Sequence, residues 1–147
     1  MTYSDFEEPR VHHLQMIQGV IARLGNNGFL MKGWAVTLAA GAFGFAVSSD
    51  RWLLALIALV TTLAFWALDA YFLRCERLFR VLHKRVASKD PHTPAFYMGA
   101  TSDTFVKSLD DNYCDYWQGF RSEPLAYFYV PLMSVAVLVA IVVASFS

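Results

Sequence analysis

Three stretches of this sequence contain no charged residue at all. They run from Gly33 to Ser49, from Trp52 to Leu68 and from Pro124 to Ser147. The chain also has no net charge, because twelve Lys and Arg balance twelve Asp and Glu. A neutral chain has no global field that attracts nucleic acid or anionic lipid, so any electrostatic function requires local clustering of charge.

Cysteine is rare, and the spacings that carry catalytic or metal chemistry are missing. Cys75 and Cys114 are the two cysteines, and no CxxC or HExxH pattern predicts a zinc site. The sequence has no nucleophile elbow, P-loop or dinucleotide fingerprint. We therefore predict no catalytic residues, no metal and no cofactor, and we expect both cysteines to be reduced cytoplasmic thiols.

Two weak signals favour a nuclease. Arg77 and His83 satisfy the Arg-x5-His spacing of HEPN ribonucleases, and Asp110 with Asp111 forms a carboxylate pair. On one continuous helix, six residues turn through about 600°, which leaves Arg77 and His83 about 120° apart rather than converging. A membrane-tethered HEPN-like nuclease is therefore the least favoured alternative.

The three uncharged stretches predict membrane-spanning helices. They contain 17, 17 and 24 residues in a chain of 147 that is 56% hydrophobic, with a mean hydropathy of +0.39. A helix needs about 20 apolar residues to cross the hydrocarbon core. We predict an all-α membrane protein with three transmembrane helices, an N-terminal amphipathic helix and a cytoplasmic helical segment, forming a homo-oligomeric bundle.

The positions of the basic residues predict the orientation, because short loops rich in Lys and Arg stay in the cytoplasm. Only Arg51 falls between the first two spans; the others are Arg10, Arg23, Lys32, Arg74, Arg77, Arg80, Lys84, Arg85, Lys89, Lys107 and Arg121. The N-terminus is then cytoplasmic in a multi-pass membrane protein. The expected segments are a cytoplasmic amphipathic helix (1–28), a transmembrane hairpin (29–73), a cytoplasmic helix and cap (74–123) and a final transmembrane helix (124–147).

A lysine and an aspartate lie at the same predicted depth in the hairpin. With a turn near residue 50, positions whose numbers sum to about 101 share one level, and Lys32 and Asp69 do so. Charges near the membrane core tend to pair, which predicts an ion pair; alternatively, Lys32 extends to the headgroups and Asp69 reaches water on its own. Equal depth further predicts that exchanging the two residues restores stability.

The first span carries a face of small residues in the stretch "TLAAGAFG". Thr37, Ala40, Gly41 and Gly44 make a small-xxx-small pattern of the kind that lets helices approach closely. This face either closes the hairpin internally or joins subunits. Thr37, Gly41 and Gly44 are our predicted pore-lining or packing residues.

The predicted cytoplasmic helices are amphipathic. Leu14, Ile17, Ile21 and Leu24 recur at helical spacing until "GNNG" (25–28) is expected to break the helix. Apolar residues of the next helix share one face: Cys75, Leu78, Phe79, Leu82 and Val86. These two apolar stripes pack either on each other or on neighbouring subunits.

The opposite face of the second helix is basic: Arg74, Arg77, Arg80, Lys84 and Arg85. This stripe either contacts anionic lipid or binds a phosphate-bearing ligand, since the arginine fork of donors suits phosphate.

The segment from Asp90 to Glu123 predicts an irregular cap with one short helix. Ser102 or Asp103 is its expected N-cap, the helix continues to about Asp110, and Phe105 and Leu109 are its buried face. Four aromatic residues follow: Tyr113, Tyr116, Trp117 and Phe120. They form either an interfacial aromatic belt or a platform for stacking bases.

The stretches "RLGNNGFLMKGWAVTLAA" and "FWALDAYFLRCERLFRVLHKR" resemble small bacterial membrane proteins of the SLATT kind over roughly residues 12 to 86. The resemblance implies a two-helix effector of anti-phage defence, associated with a nucleotidyltransferase, that oligomerises and depolarises the inner membrane in response to a cyclic or oligomeric nucleotide. The third apolar segment departs from that pattern.

The observations and the resemblance together predict a membrane effector that assembles as a tetramer or larger oligomer and forms or gates an ion-conducting pore under control of a nucleotide-type ligand or partner. The few polar residues inside the spans favour a narrow pore. The alternative is a non-conducting membrane anchor that holds a soluble partner through residues 74–123.

Overall fold

The computed structural model describes residues 4–49, 52–109 and 116–146. All the regular structure within these ranges is helical, which confirms the predicted all-α class. The helices are α1 (Ser4–Ser49), α2 (Trp52–Ala87), α3 (Asp103–Lys107), α4 (Tyr116–Phe120) and α5 (Glu123–Phe146). Predictions about Arg51, the carboxylate pair Asp110 and Asp111, Tyr113 and Cys114 concern positions outside the described residues.

Three of these helices are long and apolar enough to cross a membrane. α1 has 46 residues, α2 has 36 and α5 has 24. At 1.5 Å per residue these lengths correspond to about 69, 54 and 36 Å, against a hydrocarbon core of about 30 Å. α5 is therefore matched to a bilayer, whereas α1 and α2 each extend well beyond one.

The expected break at "GNNG" does not occur. α1 continues through Gly25–Gly28 as one helix that includes both the amphipathic segment and the first apolar stretch. An interior glycine costs a helix only about 1 kcal/mol relative to alanine, and neighbouring contacts can offset that cost. The separate N-terminal helix that we predicted is thus the first half of a single long helix.

We define the apolar region as residues 29–49, 52–73 and 123–145. In this region α1 and α2 pack against each other through buried alanines. Ala35, Ala39 and Ala46 of α1 are buried, as are Ala55 and Ala58 of α2. The short alanine side chain lets the two helices approach closely where no hydrophobic effect drives them together. The small residues that seal the hairpin are therefore not the Thr37–Gly44 face singled out in the sequence.

The apolar stripes of α1 and α2 pack on each other within one chain in the basal region (residues 8–28 and 74–109). Ile17, Leu78 and Leu82 are fully buried there, and Phe105 of α3 packs on them. Leu14, Ile21, Phe79 and Leu109 lie partly buried around this cluster. Of the two arrangements left open by the sequence, the structure shows the intramolecular one.

The third long helix, α5, packs mainly on α2 and completes a second cluster at the end of the apolar region that adjoins the basal region. Ala35, Ala70, Leu125 and Tyr129 are its buried members. Three aromatic side chains cover it: Trp66 of α2, Tyr116 and Phe120 of α4. α4 lies closely on α2, because a Cβ on Gly119 would be only 3.0 Å from the Ala70 carbonyl oxygen.

Candidate functional site

A buried aspartate joins the three long helices at the boundary between the apolar and basal regions. Lys32 of α1 places its Nζ 2.5 Å from Oδ2 of Asp69 on α2. The hydroxyl of Tyr129 on α5 donates to the same oxygen over 3.2 Å. The Asp69 side chain is 3% exposed and that of Lys32 is 26% exposed. We call this three-residue contact the Asp69 junction.

Gly28 explains how the carboxylate fits against α1. A Cβ at this position would come within 2.9 Å of Asp69 Oδ1, so any larger residue would displace the carboxylate. The first glycine of the same motif is different, because a Cβ on Gly25 would lie 3.8 Å from Glu76 Oε2, an ordinary contact distance. Gly28, the last glycine of "GNNG", thus lets α1 lie close to the Asp69 carboxylate and does not break the helix.

An aromatic stack extends from the Asp69 junction towards α4. Trp66 stacks on Tyr129 with 5.7 Å between ring centroids and on Phe120 with 4.3 Å. The indole of Trp66 donates to the Phe120 carbonyl over 3.1 Å, and the Tyr116 hydroxyl donates to the Ala67 carbonyl over 3.0 Å. Tyr116 and Phe120 thus pack inside the protein, whereas Trp117 is 65% exposed.

The structure separates the five predicted ligand-binding residues. Arg77, Arg80 and Lys84 border one pocket. Arg85 instead donates to the Ser108 hydroxyl and carbonyl, both over 3.0 Å, and lies 5.0 Å from the centroid of the Phe105 ring. Arg74 lies beside α4, where its Cβ is 4.0 Å from the Cβ position of Gly119.

The pocket has a volume of about 580 Å³ and opens between α1, α2 and α4. Its polar lining consists of Gln18, Arg77, Arg80, His83, Lys84 and Gln118. The sequence pattern missed both glutamines, because nothing in their spacing relates them to the basic stripe. Arg77 and His83 both border this pocket although they lie on different sides of α2, and the prediction that they are not catalytic stays a prediction.

The cap is fixed to α1 by a histidine. His13 is 3% exposed, its Nε2 lies 2.9 Å from the Tyr97 carbonyl, and its ring packs on Phe96 with 5.7 Å between centroids. Tyr97 in turn reaches the Ser102 hydroxyl over 2.7 Å. The alternating polar and apolar residues around position 13 gave no indication of this contact.

The predicted N-cap of the short cap helix is confirmed. The Ser102 side chain accepts from the Phe105 amide, and Phe105 is buried. The helix itself ends at Lys107, earlier than expected; Ser108 is its C-cap, and the Ser108 amide bonds to the Phe105 carbonyl three residues back as well as to the Thr104 carbonyl. At the start of the cap the His92 backbone N–H donates to the Asp90 carboxylate, and this lowers the pKa of Asp90.

The Thr37–Gly44 face is open in the monomer. Cβ atoms built on Gly41 or Gly44 would meet nothing within 4 Å. The hydroxyl of Thr37 donates to the Gly33 carbonyl over 2.9 Å, and Thr61, Thr62, Ser134 and Ser145 likewise donate four residues back. These hydroxyl protons are used within the helices, so their oxygens offer only acceptor lone pairs to anything outside.

Within residues 4–49, 52–109 and 116–146, no three His, Cys, Asp or Glu side chains converge in a way that could hold a metal ion. Cys75 is buried and has a free thiol.

No protein-family model, curated protein or solved structure matches this chain. The resemblance to SLATT proteins therefore stays a prediction from the quoted stretches.

Proposed function

We propose that this protein is a membrane effector that self-associates through α1 and forms a narrow ion-conducting pore. The observation that carries the proposal is the division of small residues on α1 into two faces. Alanines pack against α2, while the Thr37–Gly44 face has no neighbour in the monomer. A lipid-exposed glycine face gains nothing for a monomer, whereas it lets the same helix of another copy approach closely.

The proposed assembly is a tetramer or larger homo-oligomer in the bacterial inner membrane, with the basal region in the cytoplasm. α1, α2 and α5 would each cross the bilayer. Of the twelve Lys and Arg residues, nine lie in the basal region, and Lys32 and Arg121 lie in the segments next to it, in agreement with the distribution of Lys and Arg in membrane proteins.

The pore chemistry follows from the hydroxyl geometry. An axis lined by Thr37 would present one acceptor oxygen per subunit and otherwise apolar surface, since the Thr37 proton is bonded to the Gly33 carbonyl. Such a lining gates by dewetting and passes small ions before larger solutes. Membrane depolarisation is therefore the proposed output, and a phosphate-bearing cytoplasmic ligand, cyclic or oligomeric nucleotide in kind, is the proposed control.

The test measures current across a planar bilayer that contains the purified protein, and potential in liposomes with a voltage-reporting dye. A Cβ at position 41 would meet nothing within 4 Å, so Gly41→Leu adds bulk to the open face and should abolish both oligomer and conductance while leaving the monomer folded. Ala144→Leu places the same side chain at an exposed position of α5 and should change neither.

The second candidate function is that of a non-conducting membrane anchor that holds a soluble partner. Trp117 is 65% exposed beside the cap and offers a soluble partner an aromatic contact. If the protein conducts under no condition, and Trp117→Ala releases a single soluble partner recovered with the wild-type protein, the channel function fails. A purified sample that degrades RNA and loses this activity in His83→Ala would instead favour the nuclease.

A further inference from the structure

The pocket between α1, α2 and α4 has the composition of an anion site. Arg77, Arg80 and Lys84 contribute positive charge, Gln18 and Gln118 contribute amide donors, and none of the lining residues that the structure describes is a carboxylate. Its volume of about 580 Å³ lies within the range of roughly 300 to 1,000 Å³ that small-molecule sites occupy. It has room for a ligand the size of a pyrophosphate or a nucleotide.

One arginine of the pocket is already oriented. Arg80 donates from Nε and Nη2 to Glu76 Oε1, over 2.9 and 2.5 Å. A guanidinium has five N–H donors, so three remain for a ligand while the ion pair holds the group in place. In the part of the chain that the structure describes, Arg77 and Lys84 have no hydrogen-bond or ion-pair partner, and their charges are available.

The distance of the pocket from the hydrocarbon core decides whether a soluble ligand or a lipid headgroup would reach it. If α2 enters the bilayer at Trp52, about 20 residues cross the hydrocarbon core and the core ends near residue 72. With a rise of 1.5 Å per residue, Arg77 lies about 8 Å and Lys84 about 18 Å beyond that boundary. The headgroup layer on one side is about 5 to 7.5 Å thick. Arg74 therefore lies at headgroup level, Arg77 lies at the outer edge of this layer, and Arg80 and Lys84 lie beyond it.

A ligand in this pocket would contact α1, α2 and α4, and these helices together contribute to both the basal cluster and the cluster beside the Asp69 junction. Gln18 lies one residue from Ile17 of the basal cluster, and Gln118 lies on α4, whose Phe120 stacks on Trp66 beside the Asp69 junction. Binding therefore reduces the freedom of α1 and α4 relative to α2. This is the position that a regulatory ligand of the membrane helices would need.

We propose that this pocket binds a water-soluble phosphate-bearing anion through Arg77, Arg80 and Lys84, rather than a lipid phosphate. The assignment rests on the proposed function only for the depth of α2 in the bilayer. It adds Gln18 and Gln118 to the ligand contacts and removes Arg74 and Arg85 from them.

The test is a titration of the purified full-length protein with pyrophosphate, in neutral-lipid nanodiscs at 150 mM salt (about physiological ionic strength), by calorimetry and by thermal shift. Arg77→Gln and Lys84→Gln should each raise Kd by about tenfold or more, the loss expected when a charge-assisted hydrogen bond is removed. Arg23→Gln and Lys107→Gln remove one charge each from exposed positions outside the pocket and should change Kd less than twofold.

A parallel arm uses nanodiscs that contain phosphatidic acid in place of neutral lipid. Pyrophosphate should retain its affinity there, because the two phosphates occupy different depths. The proposal is overturned if pyrophosphate does not bind, if the two control variants weaken binding as much as the pocket variants, or if phosphatidic acid binds saturably and excludes pyrophosphate. Size-exclusion profiles of all variants show that a loss of binding is not a loss of fold.

The outcome is independent of the conductance measurement. Pyrophosphate binding that depends on Arg77 and Lys84 in a protein that never conducts would support the pocket and contradict the pore. Conductance in a protein that binds no pyrophosphate would do the reverse.

Discussion

Removal of Lys32 should destabilise the protein more than neutralisation of Asp69, although both changes break the same ion pair. In Lys32→Met the carboxylate stays at a site where its side chain is 3% exposed, and only the Tyr129 hydroxyl still donates to it. In Asp69→Asn the amide keeps the shape of the carboxylate and still accepts from Tyr129. The ammonium of Lys32, 26% exposed, can then turn towards water.

The expected magnitudes follow from this asymmetry. Leaving one charge of a buried pair without its partner costs about 3 to 5 kcal/mol, and the remaining tyrosine hydrogen bond places Lys32→Met near the lower end. Losing a hydrogen bond to a charged group costs about 1.5 to 3 kcal/mol, and the partial exposure of Lys32 places Asp69→Asn near the lower end of that range. The double variant should resemble Asp69→Asn alone, because no buried charge remains in it.

The assay is reversible unfolding in mixed micelles, followed by tryptophan fluorescence, since Trp66 stacks on Tyr129 at the junction. The three variants and the wild type form a double-mutant cycle, for which we expect a coupling of about 2 kcal/mol or more between Lys32 and Asp69. If the two single effects add within about 0.5 kcal/mol, the residues do not act as a pair and the reasoning is refuted.

Three further changes test other contacts. Equal depth alone predicts that exchange of the charges, Lys32→Asp with Asp69→Lys, restores stability. We now expect no rescue, because Asp69 Oδ1 lies so close to α1 that even a Cβ on Gly28 would be 2.9 Å from it, and the lysine side chain is longer than that of aspartate; full rescue in the same unfolding assay would contradict this. For the same reason Gly28→Ala should lower stability by about 1 to 2 kcal/mol, whereas the matched Gly25→Ala should raise it by up to about 1 kcal/mol through helix propensity. His13→Phe should increase hydrogen exchange around Tyr97 by removing the contact to its carbonyl, while other parts of the chain stay protected.

The sequence was sufficient to predict the features that depend on periodicity and length. The three apolar helices, the buried stripe from Cys75 to Val86 and the Ser102 cap all follow from local patterns, and the structure contains each of them. Numbering about a turn near residue 50 also identified Lys32 and Asp69 as neighbours, because antiparallel helices with the same rise keep their register over the whole hairpin.

The remaining features depend on contacts that a linear pattern does not contain. Tyr129 contacts Asp69 from a position sixty residues further along the chain, and the neighbouring Tyr127 in "AYFYV" gave the sequence pattern no reason to choose between the two tyrosines. Gly28 was interpreted by its ordinary role as a helix breaker, although its function here is to make room for a carboxylate. Arg85 had the same spacing as the other basic residues, but a hydroxyl and an aromatic ring of the cap bind it instead.

The continuity of α1 has a mechanical consequence for the proposed control. One unbroken helix carries Gln18 of the pocket, Lys32 at the junction and Gly41 of the open face. The junction is the point at which α1 is held by a buried carboxylate, so it is the natural pivot for a tilt of the helix. Gln18 lies 14 residues from Lys32 and Gly41 lies 9 residues from it on the other side, which correspond to arms of about 21 and 14 Å.

A rigid tilt about this pivot converts motion at the pocket into opposite motion in the membrane. Displacing Gln18 by about 3 Å towards a bound anion would shift Gly41 by about 2 Å, the ratio being that of the two arms. A shift of this size at a close-packed glycine face is enough to change which side chains meet at an axis, because packed interfaces have discrete arrangements rather than continuous ones. Had α1 been broken at "GNNG", as its sequence suggested, the same displacement would have been absorbed at the break before it reached the membrane.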